Sequence, residues 1–234
     1  MSGFVSLWTK EFKEFFLSPI AYLVIAVFLL VTGWFFFSTF FIKGQANLRD
    51  FFNLLPITFA FVIPALTMRL FSEEFNLGSY EILITMPVSH TEVVLSKFLA
   101  GLSVAAGMLL PTLVYLFTVI SLGEVDPGPV AGGYLGSLLL AAAYTAIGLL
   151  TSALTKNQII AYIFGTLLCF SLTLINQMLF FVPESVLPVV QYLGAAHHFQ
   201  NIAKGVIDSR DLIYFLSIVF LGLYLTRIVI QDRA

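Results

Sequence analysis

An all-α membrane protein with six transmembrane helices is the fold class this sequence predicts, and three observations carry the prediction. Hydrophobic residues make up 59% of the 234 positions and charged residues 10%, against about 25% charged in a soluble domain. The mean hydropathy is +1.00. Six long runs are free of charge or carry a single arginine near one end, and each approaches the roughly 20 residues a helix needs to cross about 30 Å of hydrocarbon.

Taken in order, the chain opens with Phe4, Leu7, Trp8, Glu11, Phe12, Phe15 and Phe16 at helical spacing and Lys10, Lys13 and Glu14 between them. Residues 1–18 therefore read as an interfacial amphipathic helix ended by Ser18-Pro19. The run that follows, 19–42, is too long for a secretory signal core of about 7–15 residues, and no small-residue cleavage site follows it. It is predicted to remain as the first span.

The other charge-poor runs are 51–68, 98–122, 130–154, 159–182 and 212–230. With their apolar flanks the second and third spans become 51–70 and 93–122, so that 19–234 forms a single transmembrane domain. Arg227 lies inside the last run, where a long side chain near a helix end can reach the interface. Pro56, Pro64 and Pro111 fall within spans and can kink them. Between the fifth and sixth spans, residues 183–211 mix Pro183, Glu184, Pro188, His197, His198, Lys204 and Asp208 with Val186, Leu187, Val189, Phe199, Ile202 and Val206. Such a mixture predicts short helices dipping partway into the membrane under the cover of other protein, an outer re-entrant hairpin.

Counting Lys and Arg near span ends sets the orientation. With the amino terminus in the cytoplasm, Lys10, Lys13, Arg69, Lys97, Lys156, Arg227 and Arg233 lie inside and Lys43, Arg49, Lys204 and Arg210 outside, 7 against 4. Both termini are then cytoplasmic, as is the polar stretch 68–88 between spans two and three. That stretch holds Glu73, Glu74 and Glu81, which cannot be carried unpaired through hydrocarbon.

Composition excludes several functions. A net charge of -2 without a basic patch gives no reason to expect nucleic acid, and the one cysteine, Cys169, rules out a disulfide within the chain or a Cys-based zinc site. No phosphate loop ending in Gly-Lys-Ser or Gly-Lys-Thr and no Gly-x-Ser-x-Gly elbow is present. His197 and His198 are adjacent, pointing about 100° apart on a helix, a poor pair for one metal ion. Glu73-Glu74 have no arginine following on the same helix, so they read as a solvated helix start favoured by the helix dipole rather than as a protease pair. No catalytic or metal residue is assigned. Asn176-Gln177 suit an inter-helix hydrogen bond better than a substrate path, and the small pairs Gly101/Ala105 and Gly132/Gly136 suit packing within the chain better than packing between subunits.

Three stretches, in order, carry a resemblance. Ser72-Glu73-Glu74, Gly78-Ser79, Glu81-Ile82-Leu83, Pro87-Val88 and Lys97 resemble the cytoplasmic loop after the second span in permease subunits of ABC-2 type exporters. Residues 148–158 are similar to that family's junction between spans four and five, and 198–208 with 214–217 to its outer hairpin. The nearest branch is that of gliding-motility permeases and of the permease for nitrous-oxide-reductase maturation.

The resemblance implies a non-catalytic permease of an ATP-driven exporter in a bacterial cytoplasmic (inner) membrane. Residues 78–86 would be a coupling helix lodged in a groove of a separate ABC ATPase subunit. Glu73, Glu74, Gly78, Ser79, Glu81, Ile82, Leu83 and Pro87 would form this ATPase-coupling segment, with Glu74 and Glu81 as polar contacts, Ile82 and Leu83 as apolar ones and Pro87 as its end. His198, Phe199, Lys204, Gly205 and Asp208 would mark the outer re-entrant hairpin. The chain would hold no cofactor, ATP and Mg being bound by the partner ATPase, and its other partners would be a second permease, identical or homologous, an extracytoplasmic auxiliary protein and membrane lipid. The alternatives are an ion-coupled secondary transporter, which calls for ionisable residues deep in the spans, and a membrane-embedded hydrolase.

Overall fold

The computed structural model describes residues 2–43, 47–84, 88–123, 125–178, 183 and 187–233. Twelve α-helices and no strand occur among them, and six helical stretches are long and apolar enough to cross a membrane.

Helix α1 (Ser2–Leu17) buries Leu7, Glu11 and Phe15 along one stripe and exposes Lys10, Lys13 and Glu14. It lies against α6 (His90–Leu109) and stops at Ser18, whose hydroxyl accepts the Ile20 amide at 3.3 Å as α2 (Pro19–Lys43) begins. Proline suits that first position because its missing N–H would find no partner in the helix anyway.

The second span is longer than its charge-free run. Helix α3 (Arg49–Thr67) holds Pro56 and Pro64 without breaking, jogs at Met68, and continues as α4 (Arg69–Leu77), giving 29 residues in all. The jog has a local cause. Ser152 of α8 (Pro127–Leu154) donates to the Met68 carbonyl at 2.7 Å and accepts the Phe71 and Ser72 amides at 3.0 and 3.1 Å. A hydroxyl thus stands in the helix's own ladder, which is one established origin of a kink.

The third span starts earlier than expected, at His90, because Ser89 and Glu92 form a capping box. The Ser89 hydroxyl accepts the Glu92 amide at 3.2 Å and the Glu92 carboxylate accepts the Ser89 amide at 2.9 Å. Lys97 is therefore two turns inside the helix instead of at its mouth. Pro111 separates α6 from α7 (Leu113–Leu122) through tight i→i+3 bonds, Tyr115 to Thr112 at 2.9 Å among them.

Helix α8 is the inner helix of the bundle. Of its most apolar window 72% is buried, against 28% for α2, 22% for α9 (Gln158–Met178) and 28% for α12 (Ser209–Gln231), which therefore present their faces outward. Asp126 caps its start by accepting the Gly128 amide at 3.1 Å. Two short helices, α10 (Leu187–Leu193) and α11 (Ala195–Ala203), follow α9, and α11 packs on α8, α9 and α3 with Phe199 and Ile202 fully buried.

The small pairs serve this packing. A Cβ on Gly132 would stand 2.2 Å from the Ile202 carbonyl oxygen, and one on Gly136 would meet Phe199 and Ile202 at 3.3 Å. Gly101 faces Thr145 and Thr67. Asn176 lies near Gly194, but its Oδ1 has no hydrogen-bond partner among the described residues, so the expected inter-helix bond of that oxygen is not formed. Gly132→Ala should lower stability by about 1–3 kcal/mol, the usual cost of overpacking, read from thermal unfolding in detergent; a change within about 0.5 kcal/mol would show that α11 yields freely.

Candidate functional site

Charged groups gather where α1, α4 and α6 meet. Lys97 reaches this junction from α6 with its side chain 1% exposed, and its Nζ donates to Glu11 Oε2 at 2.9 Å and to Glu74 Oε1 at 2.7 Å. Lys10 approaches the other Glu11 oxygen at 3.6 Å and Glu14 at 3.3 Å. Three carboxylates, Glu11, Glu14 and Glu74, thus share two ammonium groups, Lys10 and Lys97. Nearby, the Arg69 guanidinium donates to the Glu14 carbonyl at 2.9 Å and lies over the Phe15 ring at 5.5 Å.

This arrangement corrects two expectations. Glu74 is not part of a solvated helix start. It sits near the end of α4, its side chain 15% exposed and bound to Lys97, while Glu73 beside it is half-buried. Lys97, counted from sequence among the residues near span ends, is in addition fully enclosed, two turns inside the third span. The physical reason is that α1 folds back on α6 and supplies Glu11, so the charge is neutralised inside protein rather than in lipid.

Past α4 the chain turns. Gly78 takes the left-handed conformation (φ 71, ψ 7) that ends a helix at low cost only for glycine, and α5 (Ser79–Ile84) follows, six residues long. Tyr80 is buried and packs edge-on against Phe75 at 4.9 Å, with Phe71 at 6.4 Å. Burial pushes its hydroxyl above the ordinary tyrosine value, the Glu74 carboxylate adding to the rise and Lys97 opposing it. Ser79 and Glu81 face outward. Ile82 and Leu83 lie in α5, but their side chains, like Pro87 and the expected end of the element at Met86, fall outside the described residues.

The far side of Phe75 carries Arg233, its guanidinium 4.8 Å from the ring centroid and its Nη2 donating to the Leu154 carbonyl at 2.6 Å. A cleft of about 500 Å³ there is lined by Phe75, Gly78, Tyr80, Glu81, Lys156 and Arg233, among others. The carboxyl end of α12, the α8–α9 junction and α5 therefore form one surface. Ser152 and Arg233 were missed from sequence; the Ser89-x-x-Glu92 box was the readable signal for the buried position of Lys97.

At the opposite end of the span-length helices, His198 and Phe199 of α11 are buried, whereas Lys204, Gly205 and Asp208 are exposed. His198 Nδ1 is 2.5 Å from Asp211 Oδ1 and its Nε2 is 2.8 Å from the Tyr192 carbonyl oxygen. That carbonyl only accepts, so Nε2 is the donor to it, and Nδ1 faces the carboxylate. The ring also stacks on Tyr214 at 4.0 Å. His197 is lowered below the ordinary histidine value, first by burial and then by His198. Gly205 has φ 86 and abuts Gly128, and Asp208 caps α12 by accepting the Arg210 amide at 2.9 Å.

Six helices long and apolar enough to cross a membrane, with no strand among the described residues, define an integral membrane protein. A family model described as ABC-2 family transporter protein matches residues 43–229, well over half of the chain. The chain belongs to the ABC-2 transporter family, as a membrane permease, a class that is generally a non-catalytic subunit working with an ABC ATPase. No curated protein matches the chain.

Removing one member of a buried ion network leaves its partners uncompensated, so Lys97→Met should destabilise by about 3–5 kcal/mol, whereas Lys10→Met, at the half-exposed end, should cost under about 1 kcal/mol. Equal effects in thermal unfolding would contradict the arrangement. Asp211→Leu should cost about 1–3 kcal/mol through the orphaned imidazole, which the same measurement checks.

Proposed function

We propose that this chain is the transmembrane subunit of an ATP-driven exporter, in which α5 is the coupling helix that receives force from a separate ATPase subunit. The observation that carries this reading is the Gly78 reversal. It ends a span-length helix and presents a six-residue helix whose Ser79 and Glu81 are exposed while Tyr80 pins it to α4. A pushed element transmits motion only if it is held to what must move, and Tyr80 with the Lys97 network supplies that hold. ATP and Mg would be bound by the ATPase, and closure of two ATPases on two permease chains would reorient the bundles as rigid bodies.

In this reading α5 and both termini face the cytoplasm, the membrane is the bacterial inner membrane, and α1 lies at its interface. Helices α10 and α11 form the outer re-entrant hairpin, supported by the burial of Phe199 and Ile202 against α8. An extracytoplasmic auxiliary protein would meet that side. The sequence resemblance supports the gliding-motility and nitrous-oxide-reductase-maturation branch. Glu81 is the exposed acidic contact of α5, and Glu74 acts behind it through Lys97.

Gly78→Arg combined with Glu81→Arg should abolish co-purification of the ATPase and transport, while the chain still inserts and folds. Retention of both would overturn the assignment of α5. A cysteine placed at His197 should be labelled by a membrane-impermeant reagent from outside intact cells and not from the cytoplasmic side of inverted vesicles; the reverse pattern would exclude an outer hairpin.

A further inference from the structure

The second span and α8 share a joint at residues 67–72. Ser152 of α8 bonds the Met68 carbonyl and the Phe71 and Ser72 amides. Gly148, four residues earlier and so on the same face of α8, leaves no room for a Cβ against the Thr67 hydroxyl. A shift of α4 along its axis therefore loads α8 directly, through hydrogen bonds to the backbone of the jog.

The other end of α8 carries a second contact of the same kind. Gly132 lies 20 residues before Ser152, about 30 Å along the axis at 1.5 Å per residue, and there the Ile202 carbonyl and the backbone of Gly205 rest on α8 where a Cβ would stand. Between the two contacts α8 is unbroken, since its prolines, Pro127 and Pro129, lie in its first turn. The other two strongly buried spans are interrupted, α3 by Pro56 and Pro64 and the third span at Pro111. A proline inside a helix removes a ladder bond and lets the helix bend. Helix α3 also touches α11, but a push arriving from α4 must cross the Met68 jog and both prolines to use that route.

We propose that α8 is a rigid rod that carries a displacement of α4 at its Ser152 end to α11 at its Gly132 end, so that the two polar ends of the bundle move together. Close-packed interiors are barely compressible and transmit strain. Both contacts set α8 against backbone, at Met68, Phe71 and Ser72 on one side and at Ile202 and Gly205 on the other, with no long side chain between to absorb the movement. The linkage itself needs no ATPase. What it carries rests on the reading of α5 as the helix that receives force: α5 is held to α4 by Tyr80 on Phe75, so a push on α5 reaches the hairpin of α10 and α11 through α8.

Coupling between two sites is reciprocal, which permits a test on the full chain alone, in lipid nanodiscs, by amide hydrogen exchange. Ser152→Ala should speed exchange in α11 roughly fivefold, the low end of a typical coupling free energy. Gly132→Ala should speed exchange at residues 68–77 by a similar factor, each change acting across about 30 Å of helix. Ile202→Val, a smaller disturbance of the same contact, replaces Gly132→Ala if that variant does not fold. Thr226→Ala is the control, because the buried Thr226 hydroxyl bonds the Gly222 carbonyl of its own helix at 2.7 Å; at an equal loss of melting temperature it should leave both segments unchanged. A response confined to the mutated end in either direction, or the same remote response in Thr226→Ala, would overturn the rod. ATPase binding plays no part in this readout, so an ATPase retained by the Gly78→Arg, Glu81→Arg variant would remove the assignment of α5 and leave the linkage standing.

Discussion

The Lys97 ammonium, buried between Glu11 and Glu74, is the constraint around which the polar end of this protein is arranged. A charge taken that far from water costs several kcal/mol unless opposite charges meet it at hydrogen-bond distance, and here they come from two other helices. The same two contacts therefore fix α1 against α6 and the end of α4 against both. Lys97 also lies 5.2 Å from the Phe71 ring, on which the stacked Phe75 and then Tyr80 are built. The position of α5 thus follows from an electrostatic requirement several residues away.

Helix α8 plays the corresponding part for the rest of the bundle. Its small residues let α11 approach to backbone contact near Gly132, and its Ser152 enters the ladder of the second span at Met68. Both are close-range effects between segments far apart in the chain. Packing in a membrane gains little from hydrophobicity, since lipid is as apolar as leucine, and depends on such close approach and on inter-helix hydrogen bonds. The His198 pair with Asp211 and the Tyr144 hydroxyl bonded to Thr173 at 2.6 Å are further instances of those bonds.

Polar residues in this chain therefore divide by what meets them. Glu81 and Ser79 are exposed on a short helix held by an aromatic side chain, which suits a surface that another protein grips. Glu74, of the same chemical type and seven residues earlier, is turned inward and stiffens the support. Glu73, adjacent in sequence, is half-buried and lies in the cleft between α1 and α4.

Six spans, the amphipathic first helix and the break at Ser18-Pro19 were legible in the sequence, because hydrophobic run length and helical periodicity act locally and leave a one-dimensional trace. Gly78 was named only through the resemblance, as the start of the coupling segment; that it ends α4 in a left-handed turn is seen in the structure alone. The partners of Lys97 were not legible, since they lie 86 and 23 residues away; the Ser89-x-x-Glu92 box marks only where its helix starts, not what meets the ammonium. Nor could Glu73 and Glu74 be told apart, because adjacent residues on a helix point about 100° apart and only the packing of α1 decides which side is buried. The sequence by itself determined that the chain enters the membrane and roughly where it leaves; the tertiary structure decided which charges are neutralised inside and which stay free to meet another molecule.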